Sequence, residues 1–220
     1  MRKITIVLLI VLLAMLAGCA KFSGEYMPPI APSIKNSQSF SKSYDIVWKA
    51  TVDSVAKSFW TLSNIEKDSG ILSLYYITDN PSECVDCGVT KVELTQFGKY
   101  AGTIVRNPAQ PKYEYTTHGG KHHNVVIEQS SLRCDCNIVV SQISENETLV
   151  TVNTIYNLEL WKGNTVVFNK DVGKYVYTPI PVCMSFTSGN SGKGGEYMCV
   201  PTYSLEKAIF AGIESYLKNK

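Results

Sequence analysis

The chain lacks the features that would place it in several large functional classes. Its 220 residues carry 21 basic and 19 acidic side chains, and this near balance gives no electrostatic reason to expect DNA or RNA as a partner. It has no Gly-x-Ser-x-Gly, His-Glu-x-x-His or Ser-x-x-Lys motif, and its carboxylates form no defensible acid–base pair. Beyond the first 18 residues, no apolar run approaches the ~20 residues of a membrane-spanning helix. We therefore expect no enzymatic activity, no cofactor, no metal and no nucleic-acid partner.

The first eighteen residues have the order of an export signal. Arg2 and Lys3 precede an uncharged run over 4–18 that would form a helix of roughly 22 Å, short of the ~30 Å hydrocarbon core. The run ends in Leu16-Ala17-Gly18-Cys19, which resembles the lipobox of bacterial lipoproteins, cleaved before the cysteine. The resemblance implies a diacylglyceryl thioether on Cys19, usually with a third acyl chain on its amino group. The alternative is a signal peptide without lipidation.

A lipid anchor on Cys19 would make the membrane the first partner of the mature protein, because two or three acyl chains hold a protein there essentially permanently. Ala20 follows the cysteine where inner-membrane lipoproteins tend to have Asp. By resemblance to that sorting rule we expect the periplasmic face of the outer membrane. Retention at the inner membrane and surface exposure stay open as alternatives.

Residues 19–42 are expected to form the lipidated cysteine and a flexible tether. The segment contains Pro28, Pro29, Pro32 and five serines with little periodicity. A coil of this length spans about 26 Å, so we interpret the segment as a spacer between bilayer and domain. Binding of a partner to this segment is the alternative.

Residues 43–220 are expected to form a single periplasmic domain of the α+β class. Apolar residues at three- and four-residue steps predict a helix over 44–59 with Ser43 as N-cap, and a second helix after Ser204. Between them, alternating patterns predict six or seven mostly antiparallel strands, with both helices packed on one face of the sheet. The strand candidates are 61–66, 71–77, 89–94, 132–141, 148–161, 165–168 and 174–178.

Residues 43–77 also show a composite pattern: a Trp-containing helix, a strand, an acidic turn ending at Gly70 and a second strand. This pattern is similar to the domains of BamC-type accessory lipoproteins of outer-membrane protein assembly. The resemblance implies an accessory role in the cell envelope and identifies no site residue.

Six cysteines follow Cys19, and an even number beyond an export signal favours disulfides. We predict a Cys183–Cys199 bridge around a Gly-rich loop. Cys84 and Cys87 then pair with Cys134 and Cys136 in an order that stays open. A bridge between Cys134 and Cys136 themselves is disfavoured, since alternate residues of a strand lie about 6.5–7 Å apart.

Redox catalysis and zinc binding are the less favoured alternatives for these cysteines. Cys84-Val85-Asp86-Cys87 has the spacing of thiol oxidoreductases, yet a strand pattern follows where those enzymes have a helix. The same two cysteines with Cys134 and Cys136 could bind zinc, which an oxidising compartment disfavours. The Gly-containing segment with His118, His122 and His123 is interpreted as a flexible loop, with a metal site as the alternative. Residues 191–194 are also interpreted as a flexible loop.

The 13 tyrosines complete the functional expectation. Tyr113 and Tyr115 alternate, as do Tyr175 and Tyr177, which suits strands and also suits a binding surface. We expect a lipid-anchored interaction or accessory module with an envelope protein partner. A small-ligand or lipid binder is the alternative, which a deep apolar pocket lined by Tyr and Trp would favour, followed by an enzyme of unknown type.

Overall fold

The computed structural model describes residues 21–33, 35–96, 99–119, 122–169, 174–176 and 181–219. The signal segment 1–18, Cys19, Ala20 and Tyr177 lie outside the described residues. Within the described ranges, no helix is both long and apolar enough to cross a bilayer.

The chain folds as a mainly antiparallel α+β structure, as the sequence predicts, with more strands than the expected six or seven. Helix α1 spans Tyr44–Ala56, α2 spans Ser204–Lys218, and a short 3₁₀ helix covers Pro81–Glu83. The strands are β1 (Lys21–Met27), β2 (Ser37–Phe40), β3 (Thr61–Glu66), β4 (Ile71–Thr78), β5 (Val85–Asp86), β6 (Val89–Gln96), β7 (Lys99–Arg106), β8 (Tyr113–Gly119), β9 (His122–Ser144), β10 (Glu147–Asn169), β11 (Lys174–Val176), β12 (Pro181–Thr187), β13 (Gly192–Gly194) and β14 (Tyr197–Pro201).

The long β9–β10 hairpin organises the main sheet. Each strand has 23 residues, and the sheet order is β11-β10-β9-β4-β3, with β2 and β12 also on β10 and β8 also on β9. Two three-stranded sheets, β1-β6-β7 and β13-β14-β5, accompany it. The separate strand candidates 148–161 and 165–168 form one strand instead, because the break between them is only a register shift between Trp161 and Asn164.

The segment from α1 to β4 forms largely as its sequence predicts. The Ser43 carbonyl accepts hydrogen bonds from the N–H groups of Ile46 and Val47, but the Ser43 side chain does not cap the helix. Gly70 ends the β3–β4 turn at φ +71°, where a Cβ would lie 2.3 Å from the Val140 carbonyl oxygen. The turn therefore requires glycine for both conformation and space.

Two hydrophobic cores lie along the sheet. The helix core joins both helices to one face of the main sheet, and the cysteine core lies further along the same strands. Members of the helix core include Val47, Val55, Leu72, Ile138, Val150, Ile209 and Ile213. Members of the cysteine core include Cys84, Cys87, Cys134, Tyr156, Leu158, Phe186 and Cys199.

The expected flexible tether is corrected in two places, because 21–27 and 37–40 are strands. β1 pairs with β6, and β2 pairs with β10. The backbone N–H of Val152 also donates to the Asn36 carbonyl at 2.8 Å, which fixes the entry into β2. These stretches pair with strands far along the chain, so they are part of the folded structure.

Both expected flexible loops are also corrected. Residues 192–194 form β13, and a Cβ on Gly192 would lie 2.2 Å from the Phe186 ring, so glycine lets this strand pass close to the cysteine core. His118 belongs to β8, and His122 and His123 belong to β9. The backbone pairs His118 with His123 across the hairpin.

Candidate functional site

Among the cysteines that the structure describes, Cys87 and Cys199 form one disulfide, with 4.0 Å between their Cα atoms. The predicted Cys183–Cys199 pairing is therefore wrong. Cys183 is exposed on β12 as a free thiol, while Cys199 faces the interior from β14. The Gly-rich segment between them suggested Cys183 as the partner of Cys199. The sheets instead bring Cys199 to Cys87, which is 112 positions away in the sequence.

Cys84, Cys134 and Cys136 are buried thiols in the structure. The Cys84 and Cys134 side chains hydrogen bond to one another, which lowers the pKa of Cys84 and raises that of Cys134. Burial raises the pKa of Cys136 to about 12. Because Cys87 is already bonded to Cys199, the four-thiolate zinc alternative loses one of its ligands.

A buried polar network joins the cysteine core to α2. Glu206, in the first turn of α2, is 0 % exposed. The Tyr156 hydroxyl donates to its carboxylate oxygens at 2.8 and 3.0 Å, and the Ser188 hydroxyl donates at 2.7 Å. Burial and the adjacent carboxylate raise the pKa of Tyr156, so this hydroxyl stays a donor. Tyr156 and Ser188 thus provide hydrogen bonds to the buried Glu206 side chain, so the network has a structural role.

An open groove runs between α1 and α2 beside the helix core. Its volume is about 350 Å³, in the range of small-molecule sites. Val55, Trp60, Ile209 and Tyr216 supply apolar and aromatic walls. Polar residues lining the groove are Asp53, Ser54, Lys57, Ser58, Ser215 and Asn219. We call this feature the helix groove.

The two helices approach each other closely at Ser54 and Gly212. A Cβ on Gly212 would lie 1.9 Å from Ser54 Oγ and 2.9 Å from Ser54 Cβ. The Ser54 hydroxyl also donates to the Ile209 carbonyl at 3.4 Å. Glycine at position 212 thus sets the helix spacing that shapes the groove.

The second surface is the free edge of β3. All six β3 residues are exposed, and in the described part of the chain β3 pairs with β4 alone. A register shift at Ser63 places Leu62 opposite Leu74 and Ile65 opposite Leu72. Since Leu72 and Leu74 face the helix core, the bulge turns both Leu62 and Ile65 towards the helix side of the sheet.

Phe59 lies two residues before β3 and is 96 % exposed. The sequence pattern assigned Phe59 to the apolar face of a helix over 44–59. The helix ends at Ala56 instead, which places Phe59 in the connection to β3, outside the core. We use the term β3 edge for Phe59 together with Leu62 and Ile65, which are 46 % and 44 % exposed.

The outer face of the sheet carries a self-contained polar ladder. Arg133 lies 4.9 Å over the Tyr75 ring and forms a forked hydrogen bond with Asp135. Asn157 donates to Asp135 at 3.2 Å, and Ser185 donates to Asn157 at 2.9 Å. These side chains contact one another along the exposed face of the sheet. Among the described residues, the tyrosine that takes part in this ladder is Tyr75, through its contact with Arg133.

Comparison of this chain with known protein families, with curated proteins and with solved structures finds no match in any of the three. The functional argument therefore rests on the geometry of the helix groove and the β3 edge. Sequence reasoning missed both surfaces. The helical spacing of Gly212 and Tyr216 indicated only a buried face, and nothing local showed where α1 ends.

Proposed function

We propose that this chain is a lipid-anchored cell-envelope protein that acts as an interaction or accessory module without enzymatic activity. Acylation of Cys19 would hold it at the periplasmic face of the outer membrane. The order of charge, apolar run, small residues and cysteine at the amino terminus supports the anchor. The resemblance of 43–77 to BamC-type domains supports an accessory role, and this segment contains α1, β3 and β4.

The proposed partner site is the β3 edge, and its occupant is an extended segment of an envelope protein. The observation that carries this proposal is the free edge itself, next to a phenylalanine that is 96 % exposed. A row of backbone N–H and C=O groups complements only another strand. Leu62 and Ile65 would add side-chain contacts on the helix side, where an incoming apolar residue loses water contact.

Site-specific photo-crosslinking in intact cells tests this proposal. A photoreactive amino acid at position 59 or 62 should capture consecutive residues of one segment of one envelope protein. Leu62→Lys with Ile65→Lys should abolish capture at position 59, because charges oppose strand addition. Ile77, which is 58 % exposed on β4, provides the matched control position. Equal capture at 59 and 77, or capture of a second copy of this chain, would contradict it.

The anchor is tested separately. Wild-type protein should fractionate with the membrane, and globomycin should block removal of residues 1–18. The Cys19→Ala variant should leave the membrane fraction. An unacylated amino terminus on the wild-type protein, shown by mass spectrometry, would refute the lipid anchor. It would not bear on the proposal that the β3 edge binds a partner.

The helix groove supports a second candidate function, binding of a small amphiphile. Trp60 and Tyr216 line a volume of about 350 Å³ with polar residues at its rim. Titration with oleate should then change tryptophan fluorescence with saturation. Ser215→Trp would block the groove, whereas Ala211→Trp on the exposed side of α2 would not. Equal responses of the two variants would exclude the groove as the oleate site.

A further inference from the structure

Two of the buried thiols face one another in the cysteine core. Cys84 is 1 % exposed and Cys134 is 0 % exposed, both belong to the cysteine core, and the 3₁₀ helix before Cys84 packs against β9. Cys84 follows the 3₁₀ helix, and its carbonyl accepts a 2.9 Å hydrogen bond from the Thr202 N–H. Cys134 lies in β9 between Tyr76 of β4 and Tyr156 of β10. Both backbones are therefore held in place, and both sulfur atoms lie in the same buried core.

We propose that Cys84 and Cys134 form a second disulfide in the exported protein, beside Cys87–Cys199. The inference rests on the export that forms part of the proposed function, because a disulfide persists in an oxidising compartment. It does not depend on the lipid or on the β3 edge.

The reaction is an ordinary thiol–disulfide exchange with a disulfide-bearing oxidant of that compartment. The Cys84 thiolate attacks one sulfur of the oxidant, which breaks the oxidant's S–S bond and releases a thiolate. The Cys134 thiolate then attacks the Cys84 sulfur and releases the second oxidant sulfur. Two electrons pass to the oxidant, and the two protons of the cysteines end on its thiols. Since both side chains are buried in the folded chain, exchange takes place before folding is complete.

The other thiols are placed differently. Cys183 is exposed on β12, away from the cysteine core. Cys136 belongs to the helix core, and its thiol contacts Thr154. Cys134 and Cys136 are alternate residues of one strand, at or beyond the usual reach of a disulfide. Cys84–Cys134 is therefore the bridge that the packing favours among the remaining thiols.

This bridge would give the C-x-x-C segment a structural role. Cys87 already bonds to β14, and Cys84 would bond to β9. One short segment would then be linked covalently to two separate strands, with both of its sulfur atoms buried. A redox catalyst needs an accessible sulfur, so the two-bridge arrangement also explains why this spacing need not signal oxidoreductase activity.

Peptide mapping of full-length protein purified from the cell envelope tests the bridge directly. Free thiols are first blocked with N-ethylmaleimide in denaturant, and the protein is then digested without reduction, after lysine and before aspartate. Asp86 and Asp135 make this digest separate all six cysteines. The resulting peptides are 79–85 (Cys84), 86–91 (Cys87), 122–134 (Cys134), 135–162 (Cys136), 175–193 (Cys183) and 194–207 (Cys199).

The expected result is 79–85 joined to 122–134, and 86–91 joined to 194–207, with blocked Cys136 and Cys183. Peptide 79–85 carrying a blocked cysteine, or joined to any other peptide, would overturn the proposal. The amino-terminal peptide of the same digest reports acylation of Cys19. An acylated chain with reduced Cys84 and Cys134 would therefore contradict this inference alone.

A variant confirms the assignment by thiol count. The wild-type protein should take up two maleimides on the six cysteines after Cys19, and Cys84→Ser should take up three, because Cys134 loses its partner. The exposed control Cys183→Ser should take up one. Should Cys84→Ser fail to accumulate, the wild-type count decides, since an uptake of four would exclude the second bridge.

Discussion

The helix core and the cysteine core lie on the same sheet but are covered in different ways. Two helices of 13 and 15 residues cover the helix core. Strands of two, three and five residues (β5, β13 and β14) accompany the cysteine core. Short strands bury little apolar area, and there the structure has a disulfide and a buried hydrogen-bond network. The comparison shows that a disulfide crosslinks the cysteine core, whereas two packed helices cover the helix core.

Helix α2 links the two regions. Its first turn contributes Glu206 to the network with Tyr156, while Ile209 and Ile213 further along pack in the helix core. Loss of the first turn should therefore affect both cores, whereas loss of the disulfide should affect one.

The largest expected effect comes from removing the Cys87–Cys199 bridge. With a sequence separation of 112 between the two cysteines, the chain-entropy model for a loop of this size gives about 4–5 kcal/mol in the free energy of unfolding. We expect Cys87→Ser with Cys199→Ser to lower stability to urea by this order. Amide hydrogen exchange should accelerate in β5 and β14 and change little in α1. The exposed Cys183→Ser control should stay within about 0.5 kcal/mol. An equal loss of stability in the disulfide variant and in Cys183→Ser would contradict a specific role for the disulfide in the cysteine core.

The next effect comes from the network that joins the cores. Tyr156→Phe removes one of two hydroxyl donors from the buried Glu206 carboxylate, at an expected cost of about 2–3 kcal/mol. Tyr44→Phe is a matched control, because the Tyr44 hydroxyl donates to the exposed Lys67 carbonyl, which water can satisfy. Urea unfolding of both variants measures the difference. A Tyr44→Phe cost as large as that of Tyr156→Phe would argue against a special role for the buried network.

A third substitution perturbs the helix core alone. Gly212→Val places side-chain atoms against Ser54, and overpacking of this kind costs about 2 kcal/mol. Ala211→Val introduces the same side chain on the exposed side of α2 without the clash, at a helix-propensity cost of about 0.5 kcal/mol that Gly212→Val does not carry. Thermal unfolding should show a clear loss for the first variant and a small one for the second. Exchange in β14 should be unchanged in both.

The smallest effect is a pH dependence that arises at Cys136. Burial raises its pKa from 9.0 to about 12, so folding favours the neutral thiol. This stabilisation is complete below pH 9 and is lost as pH rises from 9 towards 12, by roughly 1 kcal/mol at pH 10. Urea unfolding at pH 8 and pH 10 should show a smaller alkaline loss in Cys136→Ala than in wild type. Cys183→Ala should retain the wild-type loss.

Local features were predictable from the sequence. The bounds of β3 follow from its pattern, and β4 and the start of α1 are found within a residue or two. Gly70 marks the turn because its conformation is a local requirement. The end of α1 was missed since the apolar spacing continues to Phe59 after the helix has ended.

Features that depend on distant partners were not predictable. β1 and β2 are short, polar-rich strands whose partners are β6 and β10. The partner of Cys199 lies across the fold, and the helix groove is formed by helices more than 100 residues apart. No local pattern encodes these contacts, because they depend on the order of strands in the sheets.

The position of β1 changes how far the domain can stand off from a bilayer. A 26 Å spacer was expected, yet β1 begins at Lys21, two residues after Cys19. Two residues reach about 7 Å even when fully extended. With Cys19 acylated, the first residue of β1 would therefore lie within about 7 Å of the lipidated cysteine. A link this short would keep the β1-β6-β7 sheet close to the bilayer surface.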